Sequence, residues 1–291
     1  RPDRPQGRGL ALAPSPIKSA AHLLGLAMEE PEDLTQWCSR VQNLQPELGV
    51  VISYGKLIPP EFLQLPRHGM LGVHPSLLPK YRGASPVAWA ILNGEQMSGV
   101  TIFRLNECLD AGDIVLQRSV AIEPQETTEQ LSNRLAVLGA ELLLEAIAHL
   151  EQGTGVFRPQ DDQQATYAPK LTKRQGQIDW RAEAASINRL LRAATPWPGA
   201  YTDWRGQSLK VWVTSYTSHN DLSAVPSAQA GSQHGRPGEV LAVSLEGLVV
   251  ATGAGNLAIH ELQLAGRRRM SVQEFLAGHP IQVGEVLGSG Q

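Results

Sequence analysis

A short apolar run at residues 70–74 ends in His74. The segment that follows, Pro75-Ser76-Leu77-Leu78-Pro79-Lys80-Tyr81-Arg82-Gly83, is punctuated by prolines and a glycine. The run reads as a buried parallel strand, and in open α/β sheets ligands bind beyond the carboxyl ends of such strands. An imidazole there can exchange protons near neutral pH. A strand-end histidine bonded to a backbone carbonyl would serve structure alone, and for a histidine standing by itself that is the commoner use. The second group is Leu109-Asp110-Ala111-Gly112-Asp113, between two predicted strands. Asp-x-Gly is ordinary turn chemistry. Asp110 gains chemical meaning if the fold sets it beside His74, because a carboxylate there orients an imidazole and stabilises its charged form.

Basic residues form the remaining candidates. Arg4 and Arg8 stand among glycines and prolines at the start of the chain, Lys170, Lys173 and Arg174 lie in an extended stretch, and Arg267-Arg268-Arg269 form a run. Each group could hold phosphate, and each could be a solvated loop. Over 291 residues, 25 Lys+Arg meet 28 Asp+Glu, a net charge of -3. That balance argues against a uniformly basic nucleic-acid binder and leaves room for a local patch. The two cysteines, Cys38 and Cys108, show no metal-type spacing and read as free thiols of a reducing cytoplasm. No apolar run reaches the roughly 18 residues that span a bilayer, and no secretory signal is visible.

The elements that would position these groups alternate. Helices are predicted over 15–24, 31–44, 85–93 and 127–152, and strands over 48–54, 70–74, 99–105 and 114–122. The alternation argues an open α/β sheet. The longest helix carries Leu131, Leu135, Leu138 and Leu142 on one face. After residue 154 the chain reads as an extended linker, a helix over 182–194, and short strands over 200–204, 208–214, 238–243, 248–252 and 257–264, which suggest a small barrel. Residues 218–237 are rich in Ser, Ala and Gly and read as a loop. The length suits two domains.

Taken together and in order, these segments resemble the methionyl-tRNA formyltransferase family over essentially the whole chain. The resemblance rests on Pro2-Asp3-Arg4-Pro5-Gln6-Gly7-Arg8-Gly9 with Pro14-Ser15-Pro16, on His74 with 76–79 and Arg82-Gly83, and on Leu109-Asp110-Ala111-Gly112. It continues through Thr166-Tyr167-Ala168-Pro169-Lys170, Ile178-Asp179-Trp180, Pro196-Trp197-Pro198-Gly199-Ala200 and Lys210-Val211-Trp212. It implies a Rossmann-like, open, mostly parallel sheet lacking its first strand, followed by a C-terminal OB-like β-barrel. The implied boundaries are 1–155 for the catalytic domain, 156–180 for a linker and 181–291 for a tRNA-binding barrel.

The implied reaction moves a formyl group from 10-formyltetrahydrofolate to the α-amine of methionyl initiator tRNA, with no metal. His74 would stabilise the oxyanion or shuttle the amine's proton, Asp110 would hold it, and Ser76, Leu77, Leu78 and Pro79 would line the folate site. Arg4, Arg8, Lys170, Lys173, Arg267 and Arg268 would meet the tRNA. The protein would be a cytoplasmic monomer of a bacterial cytosol or organelle matrix, with no membrane contact. Two departures stand out. Gly72 occupies the position of a family asparagine that contacts the formyl oxygen, and loss of one such donor costs roughly 10²–10³ in rate. The space of the missing amide is expected to be open or to hold a water. The strand–helix–strand that precedes the opening loop in the family, about 30 residues by the size of such a unit, is also expected to be missing. The competing readings are a formyltransferase acting on a small amine, a hydrolase of the same folate, and a catalytically weakened tRNA- or folate-binding homologue.

Overall fold

The computed structural model describes residues 4–6, 11–217 and 235–288. The chain forms two compact units, residues 1–49 with 56–70, and residues 50–55 with 71–291.

In the first unit β1 (Arg4–Gln6) pairs antiparallel with β2 (Ala11–Ala13). Helix α1 (Pro16–Leu23) starts as its sequence predicts, with the Ser15 hydroxyl accepting from the Lys18 amide at 3.2 Å and proline in the first turn. The helix predicted over 31–44 is shorter. The Asp33 carboxylate accepts from the Thr35 amide at 2.9 Å, which holds the chain in a turn, and only α2 (Cys38–Asn43) is α-helical. A one-turn helix, α3 (Pro60–Leu63), begins within the pair Pro59-Pro60, with Pro59 as its N-cap.

A four-stranded sheet runs in the order β3 (Gly49–Ile52), β4 (Met70–His74), β5 (Met97–Arg104), β6 (Ile114–Ala121). The expectation of a mostly parallel sheet gives way to a mixed Rossmann-like one, because β5 runs antiparallel to both β4 and β6. Parallel neighbours need a crossover of a dozen or more residues. The 105–113 connection is too short for one, and α4 (Pro86–Leu92) returns the chain antiparallel from β4. Helix α5 (Thr128–Glu151) packs on β5 and β6 through Leu131, Leu135, Leu142 and Ala146. Its axis comes close to the sheet at Gly139, where an added Cβ would meet Val73 Cγ1 at 3.0 Å.

The stretch that reads as linker is packed. Arg158 bridges Ile114, Tyr167 bridges Arg82, and Ala168 and Leu171 are buried. Beyond it α6 (Ala184–Ala194) buries Ile187 and Leu191. The C-terminal strands are β7 (Ala200–Trp204), β8 (Gln207–Thr217), β9 (Val240–Val243), β10 (Leu248–Ala251), β11 (Asn256–Leu264) and β12 (Met270–Ser271). They pair in the order β7-β8-β11-β10-β9, with β12 added on β11. The two ends of this path are joined by the segment after α7 (Val272–Gly278). On one side the Val240 amide donates to Glu285 O at 2.8 Å. On the other the Gly288 amide donates to Asp203 O at 2.8 Å. The strands thus curl around one core that contains Leu209, Leu248, Leu257, Ile259 and Phe275.

The start of α5 is set by a capping box in which Thr127 and Gln130 satisfy each other's backbone amides. Thr127→Ala should lower unfolding stability by about 1 kcal/mol, read from urea denaturation. An unchanged midpoint would mean that packing alone fixes this helix end.

Candidate active site

His74 ends β4 opposite Thr101 of β5 and is 6% exposed. Its Nε2 lies 2.8 Å from the Tyr81 carbonyl oxygen. A carbonyl only accepts, so Nε2 carries the proton and Nδ1 holds the lone pair in the neutral ring. Nδ1 faces Asp110 Oδ2 at 3.7 Å. That separation is too long for a hydrogen bond and suits a lone pair held off by a carboxylate. A proton on Nδ1 would convert the approach into a charge-assisted bond.

The turn that carries Asp110 is unusual for a non-glycine residue. Asp110 has φ +51°, a left-handed conformation that aspartate tolerates better than most residues and that still costs on the order of 1 kcal/mol. Its Oδ2 accepts from the Gly83 amide at 2.8 Å. Gly83 itself sits at φ +115°, where a Cβ would lie 2.9 Å from Ala168 O. At Gly112 a Cβ would fall 1.6 Å from Arg104 O. The two glycines flanking the Asp110 site are therefore demanded by backbone approach, not by turn preference alone.

Burial lowers the His74 pKa below its ordinary 6.5, while the Asp110 charge and the Tyr81 carbonyl pull it back up in part. As pH falls below 6.5 the unfolded chain takes up the proton first. The stability contribution of neutral His74 is therefore full above 6.5 and is lost as pH drops toward the folded-state value.

The 76–79 segment is clamped from below by β5 and β6. The Thr101 hydroxyl donates to Ser76 O at 2.7 Å and accepts from the Leu78 amide at 3.1 Å, and Gln117 Nε2 donates to Leu78 O at 2.9 Å. The Leu78–Pro79 bond is cis. Ser76 and Leu78 are buried, whereas Leu77 and Pro79 are only partly covered. Of the four residues expected to line a folate site, those last two present surface.

The expectation of space at Gly72 is corrected. A Cβ there would lie 2.4 Å from Phe103 Cε1 and 2.8 Å from Leu105 Cδ1. Phe103 is buried with Leu78 and Ile114 and meets His74 edge to face at 6.4 Å between centroids. The volume of an asparagine side chain is thus filled by hydrocarbon rather than left open.

Arg8 lies outside the described residues, and Arg4 is described as the first residue of β1. Lys170, Lys173 and Arg267 are exposed, with no ion pair among the described residues. Arg268 is paired with Glu274 at 2.8 Å, and Arg269 is paired with Glu261. A cleft of about 460 Å³ lined by Arg174, Trp180, Arg181, Thr202 and Gly288 lies in the C-terminal half, apart from the His74 group. Sequence reasoning missed the Tyr81 carbonyl, Phe103, Thr101, Gln117 and Gln160. The first was hidden because a backbone atom acts there, and the others lie in segments without a chemical spacing.

This chain thus sets a histidine at a strand end of a mixed sheet, facing an aspartate in a left-handed turn. The formyl transferase profile matches residues 1–147, and the profile of the formyl transferase C-terminal domain matches residues 170–280. Methionyl-tRNA formyltransferase of Geobacter metallireducens is 40% identical over 99% of this chain and 89% of its own length, and that of Caldanaerobacter subterraneus is 41% identical over 99% and 90%. The chain belongs to the methionyl-tRNA formyltransferase family. Solved structures share the fold at lower identity. HypX from Aquifex aeolicus in complex with tetrahydrofolic acid superposes with TM-score 0.60 at 22% identity, over 87% of this chain and 44% of that one. The sugar 3N-formyl transferase WlaRD superposes with TM-score 0.59 at 14% identity, over 86% and 81%.

Two outcomes follow for solution work. The His74 ring, assigned by its absence in His74→Gln, should titrate by NMR below 6.5, and Asp110→Asn should take it lower by removing the attraction that raises it. A rise in Asp110→Asn would contradict the geometry. Gly72→Asn should destabilise the fold by about 1–3 kcal/mol through overpacking. Adding Phe103→Leu should return part of that loss, a coupling that a double-mutant cycle in urea would measure. Strict additivity of the two changes would mean that the ring is not what blocks position 72.

Proposed function

We propose that this chain transfers the formyl group of 10-formyltetrahydrofolate to the α-amine of methionyl initiator tRNA. What carries the reading is identity of about 40% running through both halves to relatives that bear the name methionyl-tRNA formyltransferase. In this reaction the amine attacks the formyl carbon and loses its proton, the bond from that carbon to the folate nitrogen breaks, and tetrahydrofolate leaves with a proton on that nitrogen. Nδ1 of His74 is the lone pair in position to take that proton, since Nε2–H is committed to the Tyr81 carbonyl. The Asp110 carboxylate then faces the imidazolium as its charge develops. Leu77 and Pro79 offer apolar surface to the folate, with Ser76 and Leu78 supporting them from within.

Residues 1–155 would supply the chemistry and 181–291 the RNA contact, with 156–180 between them. Lys170, Lys173 and Arg267 are the available phosphate partners of the second unit; Arg4 and Arg8 are expected contacts as well. Arg268 contributes after release from Glu274. The reading takes the protein to be a monomer of a translating compartment. Among the described residues no helix is long and apolar enough to cross a membrane.

The test is steady-state formylation of methionyl-tRNA with 10-formyltetrahydrofolate as donor. His74→Gln should lower kcat by about 10²–10⁴, the usual worth of a positioned acid–base group, with a smaller change in KM. Formylation of an amino-sugar nucleotide in preference to methionyl-tRNA would reject the proposed acceptor. A kcat unchanged in His74→Gln would reject the role given to the imidazole.

A further inference from the structure

Gln160 belongs to neither signature and stands in a stretch that reads as linker, yet its carboxamide lies directly behind Asp110. Its Oε1 accepts from Arg82 Nε at 3.1 Å and from Arg82 Nη2 at 2.8 Å. Its Nε2 donates to Asp110 O at 2.9 Å and to Gly112 O at 2.7 Å. The orientation of the amide is chemically forced. A guanidinium only donates and a carbonyl only accepts, so the oxygen must face Arg82 and the nitrogen must face the turn.

We propose that Gln160 is a positioning residue for formyl transfer, locking the left-handed turn at Asp110 so that the carboxylate is held against His74. The proposal rests on the function given above. Arg82 is 4% exposed, and the same Nη2 that donates to Gln160 also donates to Asp162 at 2.7 Å. A buried charge held by two partners is a rigid anchor. The peptide between Arg82 and Gly83 closes the circuit. The Arg82 side chain reaches the Asp110 backbone through Gln160, and the next amide, Gly83 N–H, holds the Asp110 carboxylate. Backbone and side chain of the same aspartate are thus fixed by one dipeptide.

The side chain at 160 must offer one acceptor to Arg82 and two donors to the turn. Carboxamides do this, and glutamine has the reach shown here. Glutamate would keep the oxygen for Arg82 and turn an anion toward two carbonyls. A methionine would fill the same volume and make none of these bonds. Small misplacements in a catalytic constellation can cost as much as a hundredfold in rate.

The experiment uses Gln160→Met and Gln160→Glu in the full chain. Each should lower kcat by about tenfold or more, with KM for the formyl donor within about threefold. The His74 titration should fall toward that of Asp110→Asn, because the carboxylate is no longer held near the ring. In the Asp110→Asn background Gln160→Met should lower kcat no further. Any of three results overturns the proposal: stability lost with kcat intact in both variants, full additivity with Asp110→Asn, or a His74 titration unmoved from the unsubstituted protein. If one variant fails to fold, the other carries the same three readouts. If the unsubstituted protein formylates nothing, the function reading fails by itself, and the NMR titration still decides whether Gln160 governs the distance from Asp110 to His74.

Discussion

The hydrogen bond from His74 Nε2 to the Tyr81 carbonyl is the constraint on which the site depends, because it chooses the tautomer. With the proton committed there, Nδ1 is a lone pair, and the side of the ring that meets Asp110 is the side able to take a proton. Tyr81 can present its carbonyl inward because it adopts φ +62°. It is kept in that conformation by the Thr166 hydroxyl, which accepts its amide at 2.8 Å, and by a hydrogen bond from its phenol to Glu95 at 2.7 Å. The turn after β4 is therefore part of the acid–base geometry. Burial of the imidazole adds to this. It favours the neutral ring, and Asp110 opposes burial without overcoming it, which leaves a base in its receptive form at neutral pH in the reaction proposed.

Legibility in the sequence followed periodicity and punctuation. The helix predicted over 127–152 from its apolar face is α5, and β4, β6 and α6 lie within about two residues of their predicted bounds. The strand order was harder to read. A parallel sheet is inferred from alternation alone, and alternation does not reveal that β5 runs antiparallel to both neighbours, to β4 across the helix-bearing 75–96 connection and to β6 across the short 105–113 one. Asp110 could be named and not weighed, because its value depends on where the fold sets it. Gln160 could not be named, since its role comes from what surrounds one amide. A reader of sequence sees residue types, whereas this network is built half from carbonyls and amides that every residue carries.

Position 72 shows how the space beside a strand glycine is used. A glycine in a strand removes a side chain and invites its neighbours to fill the gap. Here they do so, and Phe103 and Leu105 occupy the volume. The consequence is electrostatic as well as steric. A carboxamide would set a donor beside the strand end, while a phenyl ring sets hydrocarbon there and lowers local polarity. Less polar surroundings strengthen the charges that remain, so in the reaction proposed the His74–Asp110 pair would act without the help of an amide at position 72.

The charge distribution bears on RNA in the same local manner. The net charge of -3 says little about tRNA, because the cations differ in availability. Arg268 and Arg269 belong to a run that could hold phosphate, and both are already answered by acids, Glu274 and Glu261. An exposed pair is worth little, typically below about 1 kcal/mol, so a phosphate can displace the acid, but the gain is the difference between two partners and not the whole of one. Lys170, Lys173 and Arg267 have no such partner among the described residues. Per residue they offer more to an incoming phosphate than the arginines beside Arg267, and the salt dependence of binding should be governed by them.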